Sequence, residues 1–393
     1  MNKVKDYFTL IRNGASIKQN NNKIGYPITR IETISDGYVD REKMGYAGIK
    51  DLSKYEDYIL ESGDILMSHI NSVKHLGKTA LYEKINDEKV IHGMNLLVLR
   101  PNKKLITSKY AYYYFRTPHF KRQLPNITKN SVNQSSFTVT ALKELYMYVP
   151  SIEKQNKIVE ILDKAQLLII KRKQQIEACD ELVKSQFVEM FGDPVTNEYK
   201  WKVKKLNEVC TKITDGTHGT PPRYPEGYLL ITGKNIRSTG IDLNDVEFVS
   251  EEDHKIIYAR CNPEYEDVLY TNIGVNYGIA AINTLDFEFS MKNVALLKPC
   301  KSVLNPYYLW QVLNLLRNSI LEQNKCGGAQ TFMALSAIKN ISIPMPDLQK
   351  QNQFAAFVQQ VNKLKSSLQQ SLTELETNFN ALMQKAFNEE LFL

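Results

Sequence analysis

The sequence predicts an α+β fold built twice, each copy a small α/β globule followed by one long helix. Three observations predict it. Short motifs recur in the same order about 200 residues apart. Runs rich in Tyr, Val, Ile, Thr and Asn are broken by Gly-containing clusters, as short strands and their turns are. Two long stretches lack Gly and Pro and carry apolar residues at steps of three and four.

The repeat sets the architecture. Pro150-Ser151-Ile152-Glu153-Lys154-Gln155 matches Pro346-Asp347-Leu348-Gln349-Lys350-Gln351. Leu99-Arg100-Pro101 matches Leu297-Lys298-Pro299, Asp64-Ile65-Leu66 matches Asp267-Val268-Leu269, and Gly25-Tyr26 matches Gly227-Tyr228. The offset drifts by a few residues, as loop insertions and deletions make it do. Four matches in one order mark a tandem duplication, with globules at 1–150 and 195–346 and helices at 151–194 and 347–393.

Within the globules, residues 90–99 and 293–297 read as strands, and 110–116 and 307–316 as short helices. The expected sheet is mixed or antiparallel. In the first helix, apolar residues recur at Ile158, Leu162, Ala165, Ile169, Ile176, Cys179, Val183 and Met190, interrupted by Arg172 and Gln186. Adding 196 to these ten positions gives Phe354, Val358, Val361, Lys365, Leu368, Leu372, Leu375, Phe379, Leu382 and Ala386. Alternating steps of four and three average 3.5, the spacing of a coiled-coil seam. Forty helical residues extend roughly 60 Å, and two such helices in matched register can pack on each other. Met190-Phe191-Gly192-Asp193-Pro194 places Gly and Pro where a helix stops.

Composition sets limits on function. With 393 residues, 43% hydrophobic and 24% charged, the chain has the make-up of a globular protein of two or three domains. The longest aliphatic runs, such as residues 167–170, reach four residues, whereas a membrane span needs about 20. No membrane association is expected. Met1-Asn2-Lys3-Val4-Lys5-Asp6 leads into no apolar signal core, and the five Cys show no CxxC pair, so a reducing, cytoplasmic setting is expected. The net charge of +7 is concentrated at the front. Residues 1–150 hold 23 Lys and Arg against 14 Asp and Glu, while 195–346 hold 16 of each. A polyanion partner is one reading of that excess, and a solvated basic surface is the other.

Catalytic signatures are missing. Gly77-Lys78-Thr79 resembles the end of a phosphate-binding loop, but position 72 is Ser where the motif needs Gly. Asn305-Pro306-Tyr307-Tyr308 lacks the second Pro of the amino-methyltransferase loop, and no glycine-rich cofactor loop precedes it. His218, in a Gly- and Pro-rich loop, is the one tempting general base, yet the first copy has Asn13-Gly14-Ala15-Ser16 there. A loop-bracing role suits it better. The His, Cys and carboxylates show no metal-site spacing. No catalytic residue, metal or cofactor is therefore expected on this chain.

Two globules joined by rigid helices suit a protein that reads two DNA segments across a gap. Arg and Lys read guanine, and Asn and Gln read adenine. The candidates in the first globule are Asn71, Lys74, Lys78, Lys129, Asn130, Asn133 and Gln134. Those in the second are Lys234, Asn235, Arg237, Asn272, Asn276, Tyr277 and Gln330. Asn and Ser also serve ordinary turns, so the set matters more than any one member.

These features together resemble the specificity subunit of a Type I restriction-modification system. The carriers are the residue 150–155 motif with the helix ending Phe191-Gly192-Asp193-Pro194, and the second copy at 346–351. Ile213-Thr214-Asp215-Gly216-Thr217-His218-Gly219-Thr220-Pro221 is similar to the opening of that family's target recognition domains, and Gly233-Lys234-Asn235-Ile236 and Asp64-Ile65-Leu66 add to the match. The second helix departs from the pattern, ending without the Gly-Asp-Pro turn.

The resemblance implies two target recognition domains, with the long helices paired as an antiparallel coiled coil that sets the gap in a bipartite, asymmetric double-stranded DNA site. It implies two methyltransferase subunits that modify adenine and two motor-nuclease subunits as partners. S-adenosylmethionine, ATP and Mg²⁺ would act on those partners, and the chain itself would be non-catalytic. The competing readings are a self-contained DNA methyltransferase or nuclease, and a coiled-coil scaffold that binds no DNA.

Overall fold

The computed structural model describes residues 2–20, 22–131, 134–274, 276–323, 332–388 and 390. The chain divides into two compact units. Unit 1 comprises residues 1–171 and 372–393, and unit 2 comprises residues 172–371.

Unit 1 is built on a four-stranded antiparallel sheet. Its strands are β1 (Phe8–Asn13), β2 (Ile65–Ser68), β4 (Thr79–Leu81) and β5 (Leu96–Pro101), in the order β1-β5-β2-β4. A β-bulge interrupts β1 between Phe8 and Leu10. A separate three-stranded antiparallel ribbon joins β3 (Ile70–Asn71), β7 (Ser135–Ser136) and β6 (Lys129–Asn130). The strand expected over 90–99 begins only at Leu96. The residues before it form isolated bridges, Ile91 with Ile28 and Ile59, and a Cβ at Gly93 would lie 2.1 Å from the Thr29 carbonyl oxygen. Close backbone approach there replaces a continuous ladder. Helix α1 (Ser108–Tyr114) is capped by Thr107, whose hydroxyl accepts from Tyr110 N–H.

Unit 2 repeats the plan. Strands β8 (Cys210–Asp215), β11 (Val268–Tyr270), β12 (Ala280–Ile282) and β14 (Ala295–Pro299) form an antiparallel sheet in the order β8-β14-β11-β12, again with a bulge at the start of the first strand. Successive residues of β11 face opposite ways, as a pleated strand requires. Val268 and Tyr270 enter a core with the long helices, whereas Leu269 enters a second core under another sheet. That sheet pairs β9 (Tyr228–Thr232) antiparallel to β10 (Glu247–Val249) and parallel to β13 (Ser290–Lys292). Helix α3 (Glu251–Cys261) lies in this region, and α4 (Pro306–Gln323) extends beyond the 307–316 stretch read from sequence.

The two long helices are α2 (Ile152–Phe191) and α5 (Leu348–Phe387), of 40 residues each. Each contributes to both units. Gly192, at φ +77°, ends α2, and its N–H donates to Val188 O at 2.8 Å. In unit 2 the helices run antiparallel. Phe187 and Phe191 lie against Phe354, with centroids 5.4 and 5.7 Å apart, and Asp180 meets Lys365 at 2.5 Å. In unit 1, α1 touches both helices. Tyr113 OH donates to Asp163 Oδ1 at 2.7 Å, and its ring centroid lies 6.3 Å from that of Phe379.

Of the expected seam, Ile158, Leu162, Ile169, Val183, Phe354, Val358, Val361, Leu372 and Phe379 are buried. Ala165, Ile176, Leu368, Leu375 and Leu382 are half-buried. Near the helix ends the buried positions are Phe187 rather than Gln186, and Met383 rather than Leu382. A helix with 3.6 residues per turn drifts from a 3.5 repeat, so the buried stripe moves one residue on.

Candidate nucleic-acid interface

The same framework supports the polar loops in each unit. Gly14 and Gly216 occupy matched turns after the first strand. A Cβ would lie 2.3 Å from His92 O in one and 2.0 Å from Met291 O in the other, so only glycine fits. Asp64, buried before β2, takes Arg100 Nε at 2.8 Å and Glu61 N–H at 2.8 Å. Asp267, buried before β11, takes Lys298 Nζ at 2.7 Å and Glu264 N–H at 2.7 Å. These anchors hold the turns that lead into β2 and β11 against the neighbouring strand.

In unit 1 the two polar segments chosen from sequence come together. The ribbon aligns Asn71 with Ser135 and Ser135 with Asn130, so both Asn residues belong to one cross-strand row. Ser135 Oγ donates to Asn130 Oδ1 at 2.8 Å, and Asn71 Oδ1 accepts from Ser72 N–H at 2.7 Å. Lys74, Lys129, Asn130 and Gln134 are exposed, and Asn71 and Lys78 are half-buried. Lys78 Nζ donates to Ser35 O at 2.6 Å. Lys74, Lys78 and Lys129 make no ion pair among the described residues. Asn133 lies outside the described residues.

In unit 2 the candidates divide. Lys234 and Arg237 are exposed, and Asn276 is half-buried with its Nδ2 donating to Gly233 O at 3.0 Å. That bond joins the 232–235 and 271–276 segments, and Arg223 and Lys292 line the same concavity. Neither Arg223 nor Lys292 was singled out from sequence. Charge could not have found them, because their segment balances 16 cations with 16 carboxylates. Lys234 sits 3.1 Å from Asp245 and 3.2 Å from Glu247, and these acceptors raise its pKa above the ordinary lysine value. Arg223 also pairs with Glu247. Two of the three cations that line this concavity, Arg223 and Lys234, are thus held in internal pairs, while Lys292 Nζ donates to Thr220 Oγ1 at 2.8 Å.

Three expected readers are corrected by burial. Asn235 is 2% exposed and fully engaged. Its Oδ1 accepts from Thr232 N–H at 3.0 Å, and its Nδ2 donates to Asp242 O at 3.0 Å and Asp245 O at 2.9 Å. It closes the 232–245 loop and cannot face a base. Asn272 and Tyr277 are buried at 1% and 4%. Their polar character belongs to the loop interior. Gln330 lies outside the described residues.

His218 is braced on both sides. Its Nε2 lies 2.7 Å from Asp215 Oδ2 and its Nδ1 lies 3.1 Å from Asn293 Oδ1. Arg260 bonds the other Asp215 oxygen. With both ring nitrogens engaged, His218 ties the first loop to the β13–β14 turn. Among the described residues no group of three or more His, Cys, Asp or Glu side chains could hold a metal ion. No helix among them is long and apolar enough to cross a membrane.

The duplicated framework has a counterpart among known proteins. The sequence profile of the Type I restriction modification DNA specificity domain matches twice, over residues 1–178 and 198–377. The chain belongs to this specificity family. It is 35% identical over 390 residues to the putative type I restriction enzyme MjaX specificity subunit of Methanocaldococcus jannaschii, covering 92% of this chain and 86% of that one. Two solved structures share the fold. The Type I restriction-modification S subunit from M. genitalium matches with TM-score 0.53 and 16% identity, over 98% of this chain and 95% of that one. A chain from a structure concerning complex assembly and conformational transition of the type I R-M system matches with TM-score 0.57 and 18% identity, over 98% and 99%. As a Type I specificity subunit, the chain is a non-catalytic DNA-recognition component of a restriction-modification system.

Proposed function

We propose that the chain reads a bipartite, asymmetric double-stranded DNA site, one half with each unit, and that the paired long helices set the gap. The observation that carries this reading is the contrast between framework and loops. Gly14 and Gly216, Asp64 and Asp267, and Gln155 and Gln351 are matched in position and role. The loops they support are not matched: Ser68-His69-Ile70-Asn71 in one unit stands against Thr271-Asn272-Ile273-Gly274 in the other. One scaffold with two loop sets presents two different reading surfaces, and hence an asymmetric target.

The chain directs two adenine methyltransferase subunits and two motor-nuclease subunits to that site in the cytoplasm. S-adenosylmethionine, ATP and Mg²⁺ serve those partners. Base contacts select the sequence, while phosphate contacts position the complex and make its affinity depend on salt. Because residues 195–346 carry as many carboxylates as cations, the chain alone binds weakly and the assembled complex tightly.

The test is genome-wide mapping of N6-methyladenine in cells with and without the gene, with the methyltransferase subunit co-expressed. Loss of methylation at one gapped, asymmetric motif is the expected result. Unchanged methylation at every motif would refute the reading.

A further inference from the structure

Unit 1 contains a concavity of about 560 Å³ that none of the framework contacts explains. Its wall is formed by the turn at 35–37, the loop at 73–79 and the segment 116–130. Four cations line it: Lys74, Lys78, Arg116 and Lys121. None of the four has a carboxylate within ion-pair distance among the described residues. The one acidic lining residue, Asp36, is held by Lys43 at 2.5 Å. Arg116 rests over the Tyr112 ring, 4.9 Å from its centroid, and donates to the Tyr112 hydroxyl.

The sequence around this pocket is unusual in one respect. Residues 89–143 contain ten Lys and Arg and no Asp or Glu. Some of these cations have structural partners: Arg100 pairs with Asp64, and Lys109 with Asp163. Arg116 and Lys121 have no carboxylate partner among the described residues. Gathering four cations beside a single carboxylate that Lys43 already holds is unfavourable, and the pKa of Lys121 is lowered, first by burial and then by Arg116 and Lys78. An anion entering the pocket would relieve that repulsion.

We propose that this pocket seats a phosphate of the duplex backbone, held by Lys74, Lys78, Arg116 and Lys121. The proposal rests on the DNA-reading role argued above and adds Arg116 and Lys121 to it as positioning residues. Location favours a backbone phosphate over a free anion. Asn130, from the Asn71–Ser135–Asn130 row, lines the same pocket, and Lys78 also lines the neighbouring recess with Asn71. A duplex whose bases meet that row brings its phosphates alongside the cations. The seat carries no base information. It fixes the register of the half-site for unit 1, whereas Arg223 and Lys234 of unit 2 remain internally paired.

The test uses the full-length chain, wild type and the variants R116Q, K121Q and K103Q, titrated with duplexes of several sequences over a series of salt concentrations. Lys103 is an exposed cation outside the pocket and serves as the charge-matched control. In R116Q and K121Q the slope of log affinity against log salt should fall by about 1 each, equally for every sequence. K103Q should leave the slope near wild type, and R116K should restore it. Equal losses in all three Gln variants would assign the effect to general charge and overturn the pocket. Wild-type slopes in R116Q and K121Q, with duplex binding intact, would overturn the pocket and leave the DNA-reading role standing. Saturable binding of inorganic phosphate that R116Q abolishes, with the DNA slope unmoved, would assign the pocket to a free anion and overturn the proposal. Absence of duplex binding by the wild-type chain at low salt would overturn the phosphate seat, while the DNA-reading role would stand or fall on the methylation map.

Discussion

His69 and His92 show what burial does to single side chains in this fold. They are 4% and 1% exposed within unit 1. Burial pushes the pKa of His69 down to about 4. It pushes that of His92 down to about 3, with the charges of Arg12 and His69 acting in the same direction. Both rings are neutral in the folded protein at neutral pH and take up protons near pH 6.5 once unfolded. The unfolded state therefore binds more protons between pH 6.5 and the folded values, and stability falls as the pH drops through that window. The expected loss is about 2 kcal/mol per histidine between pH 6.5 and pH 5. Urea midpoints measured against pH should show this, and H92Q should flatten the curve; a wild-type midpoint unchanged from pH 7 to pH 5 would contradict it. Residues of this kind were the least legible in the sequence. Asn235, Asn272 and Tyr277 look like loop readers when written in a line. Only the folded loops show that they point inward, because burial depends on which segments close over them.

The elements were more legible, and one residue type explains how they are joined. Gln155 and Gln351 recur in the repeated motif and are both fully buried. Gln155 Oε1 accepts from Thr107 N–H at 2.8 Å, and its Nε2 donates to Leu105 O at 2.9 Å and Pro150 O at 2.8 Å. Gln351 makes the same three bonds to Asn305 N–H, Val303 O and Pro346 O, at 2.8, 3.2 and 2.8 Å. Each latches the first turn of a long helix to the segment that enters α1 or α4. Replacing either Gln with Leu removes the side-chain partner of one backbone donor and two carbonyls at a helix start that the Gln itself fills completely. Such groups cost about 1–3 kcal/mol each. Denaturant unfolding of Q155L or Q351L should show a loss of about 3 kcal/mol or more, whereas an unchanged midpoint would mean that the latch carries no stability. The repeat and the apolar stripe announced these helices from sequence because both are periodic or duplicated. The shift of burial to Phe187 and Met383 was not announced, because it reflects accumulated helical drift rather than residue type. The single polar residue in the second stripe, Lys365, is accounted for by its pair with Asp180.

At the scale of the whole chain, the duplication seen in the sequence does not translate into two consecutive units. Unit 2 is one continuous segment, 172–371, whereas unit 1 is completed by residues 372–393. Helix α1 depends on that return. Tyr110 and Tyr114 meet Phe387 with centroids 5.2 and 5.8 Å apart, and Tyr113 meets Phe379. A chain ending at Ser371 should therefore keep amide protection across unit 2 and lose it in α1 and in residues 152–171, as hydrogen exchange would show. Equal protection in both units would contradict this. The same topology imposes an order on synthesis. On the ribosome, residues 1–171 must wait for the residues after 371 to emerge before their core can close, while residues 172–371 already have all they need. The half of the molecule made first is the half finished last, and during that interval its apolar helix face is open to chaperones or to a second nascent chain.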